Sequence, residues 1–274
     1  MIFVIGATGK VGRHVVSGLL DTGAVVRALA RDPDTAGLPQ RVEVVRGDLS
    51  DLAGLEERLD GAEAVFLVWP FFSDEGAGDV VEAIARHTGR IVYLSAQAAE
   101  EQPDSFWAKV ERFIEHSGVE WTFLRPTGFA ANTRMWADQI RETGVVRWPY
   151  GQAARSLIDE RDIAAVAVHV LTEPEHSGAR YVLTGPETLT QIEQVHAIGQ
   201  AIGRPLRFEE VSPDQVRPTL VAALGDEAFA DGALATWAGF VDQPERTTST
   251  VQEVTGRPAH SLRQWADNHG DGFR

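Results

Sequence analysis

Three glycines at equal spacing stand where a chain could hold phosphate. Gly6, Gly9 and Gly12 lie in VIGATGKVGRHVV, residues 4–16, directly behind an apolar run that starts at Ile2. In a strand, loop and helix unit the first glycine permits a tight turn and the second lets backbone approach a pyrophosphate. The third lets the helix pack on the strand. The helix N-terminus then offers unpaired N–H groups to negative charge. The spacing is G-x-x-G-x-x-G, not the G-x-G-x-x-G of the common dinucleotide fingerprint, so its place between strand and helix carries the weight. The loop residues expected to contact a dinucleotide are Gly6, Ala7, Thr8, Gly9, Lys10, Val11 and Gly12.

The end of the second strand supplies an independent test, since an acid there takes a ribose hydroxyl and an arginine takes a 2'-phosphate. Arg31 stands nineteen residues past Gly12; no carboxylate precedes it on that strand, and Asp32 follows directly. NADP(H) is therefore the expected cofactor, with NAD(H) second. Arg31 is the expected phosphate clamp, with Arg27 or Arg13 as assistants. Asp48, which closes the third strand after Gly47, could reach an adenine amino group or simply form a turn.

These residues need a frame. Short apolar runs over 1–6, 24–31, 41–48, 62–70, 89–96 and 120–126 alternate with helical patterns over 11–23, 52–59, 76–88 and 106–118. Such alternation implies right-handed crossovers and a parallel sheet covered on both faces. The expected fold class is α/β: a Rossmann-type doubly wound parallel sheet with a small, mostly helical C-terminal lobe. The segment 128–152 has no clean period, a helix is expected over 159–174 and a strand near 179–186, and the remainder from about 187 reads as mostly helical. The expected division is 1–150 for the dinucleotide-binding domain and 151–274 for a substrate lobe, with some later segments returning to the first.

Composition excludes several classes of function. A net charge of -15 over 274 residues argues against nucleic acid and anionic membrane surfaces, which need a basic footprint. The absence of cysteine removes disulfides, thiolate metal sites and cysteine nucleophiles, and the eight histidines form no ligand pair, so no metal is expected. No apolar stretch is long enough to span a bilayer, and no charged leader precedes the run at Ile2. A cytoplasmic protein is expected, with a homodimer as one assembly open to it.

The segments VIGATGKVG, VRALARDP, VRGDLSD, SGVEWTFLRP with GFAAN, DERDIAAVAVHVLTE, and YVLTGPETLTQIEQVHAIGQAIGRP together resemble the atypical short-chain dehydrogenase/reductase superfamily. They are most similar to its NmrA-like branch, which includes NADPH-dependent quinone reductases. The resemblance runs through the tail VTGRPAHSLRQWADNH and implies an NADP(H)-binding Rossmann domain with a small substrate lobe. It does not imply one activity, because that branch includes reductases, redox-sensing regulators and non-catalytic binders.

Many members of the superfamily reduce carbonyls with a Tyr-x-x-x-Lys helix, in which the phenol protonates the carbonyl oxygen and the ammonium lowers its pKa. Here there are three tyrosines, Tyr93, Tyr150 and Tyr181, and two lysines, Lys10 and Lys109, and no pair has that spacing. Aligned on Glu111 and the LRP motif, the family lysine falls at Trp107 and its tyrosine at Pro103; aligned on Lys109, the tyrosine falls at Ser105. Lys109 reads first as a solvated helix lysine, with approach to the cofactor as the alternative, and no catalytic residue is assigned.

A quinone suits a site without a dedicated acid, because it accepts hydride readily and leaves a stabilised phenolate. Aromatic side chains at strand ends are the expected substrate surface: Trp69, Phe71 and Phe72 after the fourth strand, and Phe129, Trp136, Trp148 and Tyr150 after the sixth. Ser95 is expected near the cofactor and Gln97, Thr127 and Asn132 near nicotinamide or substrate. Asn132 matches the family pattern R-P-x-x-F-x-x-N through Arg125, Pro126 and Phe129. The leading expectation is an NADPH-dependent oxidoreductase that transfers hydride to a quinone or similar planar conjugated acceptor. The alternatives are a redox sensor that binds NADP(H) without turnover, and a cofactor-retaining tailoring enzyme of secondary metabolism.

Overall fold

The computed structural model describes all 274 residues. β1 (Ile2–Ile5) runs through the glycine loop into α1 (Gly12–Asp21). There follow β2 (Val26–Ala30), β3 (Glu43–Arg46), α2 (Leu52–Leu59), β4 (Ala64–Val68), α3 (Ala77–Ala85), β5 (Arg90–Leu94), α4 (Ala98–Glu101), α5 (Phe106–His116) and β6 (Glu120–Pro126). A 3-10 segment (Ala130–Trp136) then leads to α6 (Ala137–Thr143), β7 (Val145–Trp148), β8 (Ala154–Arg155), α7 (Glu160–Thr172) and β9 (Ala179–Leu183). The chain ends with β10 (Leu189–Thr190), α8 (Gln191–Ile202), β11 (Arg207–Glu210), α9 (Pro213–Leu224), α10 (Glu227–Asp242), α11 (Thr250–Thr255) and α12 (Leu262–His269).

Seven strands form one sheet in the order β3-β2-β1-β4-β5-β6-β9, and every ladder in it is parallel. The order reverses between β1 and β4, which is the switch point at whose carboxyl edge ligands bind in open α/β sheets. Strand side chains alternate between two covered faces. Phe3, Ile5, Val65, Leu67, Ile91, Tyr93 and Phe123 pack with Leu55 and Leu59 of α2, Val80, Val81 and Ile84 of α3, and Val110 and Ile114 of α5. On the other face α1 packs on α7 closely enough that a Cβ at Gly18 would sit 2.8 Å from Val168 Cγ2. Burial on both faces is why these strands read as unbroken apolar runs.

The chain clusters into two compact units. Unit 1 comprises 1–127, 160–183 and 250–257; unit 2 comprises 128–159, 184–249 and 258–274. This differs from a single cut at 150. The chain leaves the sheet unit at the end of β6 and returns to it because β9 completes the sheet beside β6. Unit 2 is helical around a core that includes Trp136, Trp148, Ile140, Ile198, Leu220 and Trp265. It also holds two small sheets that the sequence pattern does not announce, β7 with β11 in parallel and β8 with β10 antiparallel. No helix is long and apolar enough to cross a membrane.

Candidate dinucleotide site and aromatic loop

The glycine loop closes on itself through backbone. Gly6 has φ +82°, in the left-handed region that disfavours side chains, and a Cβ there would lie 2.7 Å from Val68 Cβ. A Cβ at Gly12 would stand 2.1 Å from the Gly6 carbonyl oxygen, so only glycine lets α1 start this close to β1. A Cβ at Gly9 would lie 3.1 Å from the Gly6 oxygen, and the Gly9 N–H donates to that same oxygen at 3.0 Å. Ala7 and Val11 are buried plugs beneath the turn, which leaves Thr8, Gly9 and Lys10 as its exposed rim. No side chain caps the N-terminus of α1, and its first turn carries no acid. The N–H groups of Arg13 and His14 donate to the Gly9 and Val11 carbonyls within the turn, and no carboxylate in the first turn competes with an anion for the N–H groups of Lys10, Val11 and Gly12.

The charges around the ends of β2 and β3 divide into engaged and unengaged groups. Arg13 folds back on the loop, its guanidinium donating to the Thr8 oxygen at 2.8 Å and the Gly9 oxygen at 3.2 Å. Arg27 lies near the start of β2 and donates to Glu43 and to the carbonyls of Arg58 and Asp60. Arg27, tied to three protein groups near the start of its strand, is withdrawn as an assistant to the phosphate clamp; Arg13 is exposed and bonded through Nε and Nη2 only. Arg31 is exposed just past β2, and its guanidinium makes no hydrogen bond. Asp48 is half-buried. Its Oδ1 accepts from the Ser50 N–H at 3.0 Å and the Ser50 hydroxyl at 2.8 Å. Those bonds, and next the charge of Arg31, hold its carboxyl below the ordinary range.

Arg46, which sequence reasoning missed, joins this group. Its guanidinium donates to the Arg31 carbonyl at 2.8 Å and to Asp32 Oδ1 at 3.2 Å, while the Thr35 hydroxyl donates to Asp32 Oδ2 at 2.8 Å. The Thr35 bond, and to a smaller extent Arg46, hold the Asp32 carboxyl low. The signal was available in the register: parallel pairing sets Arg46 opposite Ala30, beside the end of β2.

Several expected contacts turn out to be internal. Ser95 is buried and its hydroxyl donates to Glu111 Oε1 at 2.5 Å. Glu111, itself buried, also accepts from Arg125 Nε at 3.0 Å and Nη2 at 2.6 Å. A buried carboxylate needs such charge-assisted donors, so the Ser95 proton is committed there and not to a cofactor. Glu111 lies between Ala108 and Ile114 on the buried face of α5, and that helical spacing is the clue to its burial. Trp69 is 7 % exposed, packs in the sheet core and donates from Nε1 to the Ser73 carbonyl at 2.7 Å. Trp136 and Trp148, 4 % and 1 % exposed, belong to the core of unit 2 with ring centroids 6.2 Å apart. All three tryptophans are packing residues and are withdrawn from the substrate surface.

Phe71 and Phe72 are 42 % and 45 % exposed on the loop between β4 and α3. Gln97 is half-buried, and its backbone N–H donates to the Pro126 carbonyl. Thr127 is buried and bonds the Leu183 carbonyl through both its backbone N–H and its hydroxyl. In unit 2, Phe129 bridges to Ile158 and Asn132 donates its backbone N–H to the Phe129 carbonyl; both side chains are half-buried. Tyr150 holds φ +59°, with its N–H on Glu210.

Helix α5 carries no acid and base pair of the Tyr-x-x-x-Lys kind. Ser105 caps it by accepting from the Ala108 N–H, and the Pro103 carbonyl accepts from Arg112. Lys109 is not a solvated lysine: its Nζ lies 2.9 Å from Asp74 Oδ1, with each side chain about a third exposed. No cluster of three His, Asp or Glu could hold a metal ion.

The profile of the NmrA-like family matches residues 1–241. The chain is 41 % identical, over 100 % of its length and 99 % of the relative's, to a (4-alkanoyl-5-oxo-2,5-dihydrofuran-3-yl)methyl phosphate reductase of Streptomyces griseus subsp. griseus. It is 33 % identical, over 100 % of its length and 99 % of the relative's, to an NAD(P)H azoreductase of Xenophilus azovorans. Among solved structures, the NADPH complex of an NADPH-dependent quinone oxidoreductase from Escherichia coli superposes with a TM-score of 0.83 at 22 % identity, covering 98 % of this chain and 100 % of that one. That last likeness carries the fold.

Proposed function

The chain belongs to the NmrA-like family, and from that premise we propose that it is an NADPH-dependent reductase of planar, conjugated acceptors. The observation that carries this reading is an intact phosphate cradle in a chain whose α5 lacks the usual proton donor, its single lysine tied to Asp74. The cradle fits a dinucleotide by its own geometry: a Cβ at Gly12 would fill the space that brings α1 to the loop. Gly6 to Gly12 and the open N-terminus of α1 would hold the pyrophosphate, Arg31 the 2'-phosphate, and Asp48 the adenine amino group.

When bound, NADPH supplies hydride to the acceptor. The protein's share is to orient the acceptor and exclude water, which is worth about 7–11 kcal/mol when the reacting atoms are well aligned. No side chain is required to donate a proton at the moment of transfer if conjugation spreads the charge that the acceptor gains. Water then protonates the product. A simple ketone, whose alkoxide is far more basic, would need the missing tyrosine. Two relatives point the same way by name: one acts on a dihydrofuran that carries oxo and alkanoyl groups, the other on an azo compound.

The test is steady-state NADPH oxidation with a small benzoquinone, an azo dye, an α,β-unsaturated lactone and a simple ketone, each against an enzyme-free control. Saturable turnover is expected with one or more conjugated acceptors and none with the ketone. A folded protein that binds NADPH in a titration yet turns over no conjugated acceptor would sink the proposal and leave a dinucleotide binder.

A further inference from the structure

Most large apolar side chains of this protein are buried, and two of the five that are exposed stand side by side as Phe71 and Phe72. Their loop starts at the end of β4, where Val68 abuts Gly6 of the cradle. Adjacent exposed aromatics cost solvation and mark a contact surface when something else fixes them in place.

The fixing groups lie on both sides of the pair. Before it, Trp69 is sunk in the core, its indole N–H donating to the Ser73 carbonyl, and its ring meets Phe71 edge-on at 5.0 Å. After it, Asp74 Oδ1 meets Lys109 Nζ at 2.9 Å, and the Asp74 carbonyl accepts the Ala77 N–H at 3.1 Å. Phe72 also meets Phe106 edge-on at 6.2 Å, one turn of α5 before Lys109. Gly76, with φ +74°, turns the chain into α3. Of these anchors, Asp74 with Lys109 is the one held by charge, and the hydrogen bond from Lys109 keeps the Asp74 carboxyl below its ordinary range.

We propose that the Asp74–Lys109 ion pair is a latch that holds the Phe71–Phe72 loop in place as an aromatic wall of the acceptor site, making both residues positioning groups for acceptor selection. The role in selection rests on the reductase reading above; the latch itself rests on geometry alone. The single lysine of α5, which has Ser105 and no tyrosine four residues before it, is used here to fix a loop.

The experiment compares the wild-type chain with Lys109→Ala, Asp74→Ala and the reversed pair Asp74→Lys with Lys109→Asp. Two readouts are taken: amide hydrogen exchange over residues 69–76, and KM for a conjugated acceptor at saturating NADPH. Each single substitution is expected to speed exchange in the loop and raise KM about fivefold, the scale set by a partly exposed pair. The NADPH Kd should stay within about twofold, since the pair lies outside the phosphate-holding loop. The reversed pair should recover most of both losses, and added salt should raise the wild-type KM toward that of Lys109→Ala. Unchanged loop exchange in Lys109→Ala would overturn the latch, as would a reversed pair no better than the single variants. A wild-type protein that reduced no acceptor would overturn the reductase reading and the role in selection, while the exchange measurement would still decide whether the latch exists.

Discussion

The glycine loop of unit 1 and the tryptophan cluster of unit 2 are both tightly packed, and they are packed on opposite terms. In the loop, backbone lies against backbone: the position for a Cβ at Gly12 is 2.1 Å from a carbonyl oxygen, which has no rotamer to move. In the cluster, side-chain volume fills the space, with Trp148 set between Trp136 at 6.2 Å and Trp237 at 5.9 Å. An added atom is the injury in the first region and a removed one in the second. The contrast also separates the two regions, because the loop has an exposed rim in Thr8, Gly9 and Lys10 whereas Trp136 and Trp148 of the cluster present almost nothing.

Trp148→Ala is the change expected to cost most, about 3–5 kcal/mol of unfolding free energy, since it opens a cavity among rings that cannot collapse onto it. Chemical denaturation measures it directly. Phe71→Ala, made in parallel, should cost far less, about 1 kcal/mol, the scale of its edge-on contact with Trp69. If Trp148→Ala kept full stability and instead altered only acceptor KM, the division between packing and contact aromatics would fail.

Gly12→Ala probes the other region. The methyl must displace either the Gly6 carbonyl or the start of α1, an overpacking strain of about 1–3 kcal/mol. Its second consequence is the more telling one: NADPH binding should fall below detection in an equilibrium titration while a destabilised but folded protein remains. Retained affinity would mean that the loop can reshape, and that its third glycine is a packing residue only.

The same contrast explains how much of the molecule was legible in sequence. Gly6, Gly9 and Gly12 could be read because the residue type itself names the backbone demand, and the β and α alternation because both faces of the sheet are buried. Trp69, Trp136 and Trp148 could not be sorted from Phe71 and Phe72, because an aromatic side chain suits a core as well as a ligand surface and only its neighbours decide. The small sheets escaped for a different reason. β8 and β10 are two residues each, and β7 pairs with a strand some sixty residues on, so neither has enough length to display a period. Ser95 escaped because the spacing of α5 marks Glu111 as buried but does not name its partners, which are Ser95 itself and Arg125, fourteen residues on.

Arg46 gives the finest test of the unit 1 edge. Arg31→Ala sets the reference: losing a charge-assisted contact should weaken NADPH about tenfold or more and leave NADH nearly untouched. Arg46 acts less directly. It holds one oxygen of Asp32 while Thr35 holds the other, so the carboxylate directly after Arg31, the proposed phosphate clamp, is engaged on both oxygens. Arg46→Ala removes a cation from that edge and frees one Asp32 oxygen, which could then accept from a ribose hydroxyl. NADPH should weaken about threefold, in keeping with an exposed charge pair, and NADH should strengthen by a similar factor. Adding Asp32→Asn to Arg46→Ala should abolish the NADH gain. If Arg46→Ala weakened both cofactors equally, the pair would be no more than a brace between β2 and β3, and discrimination at this edge would rest on Arg31 alone.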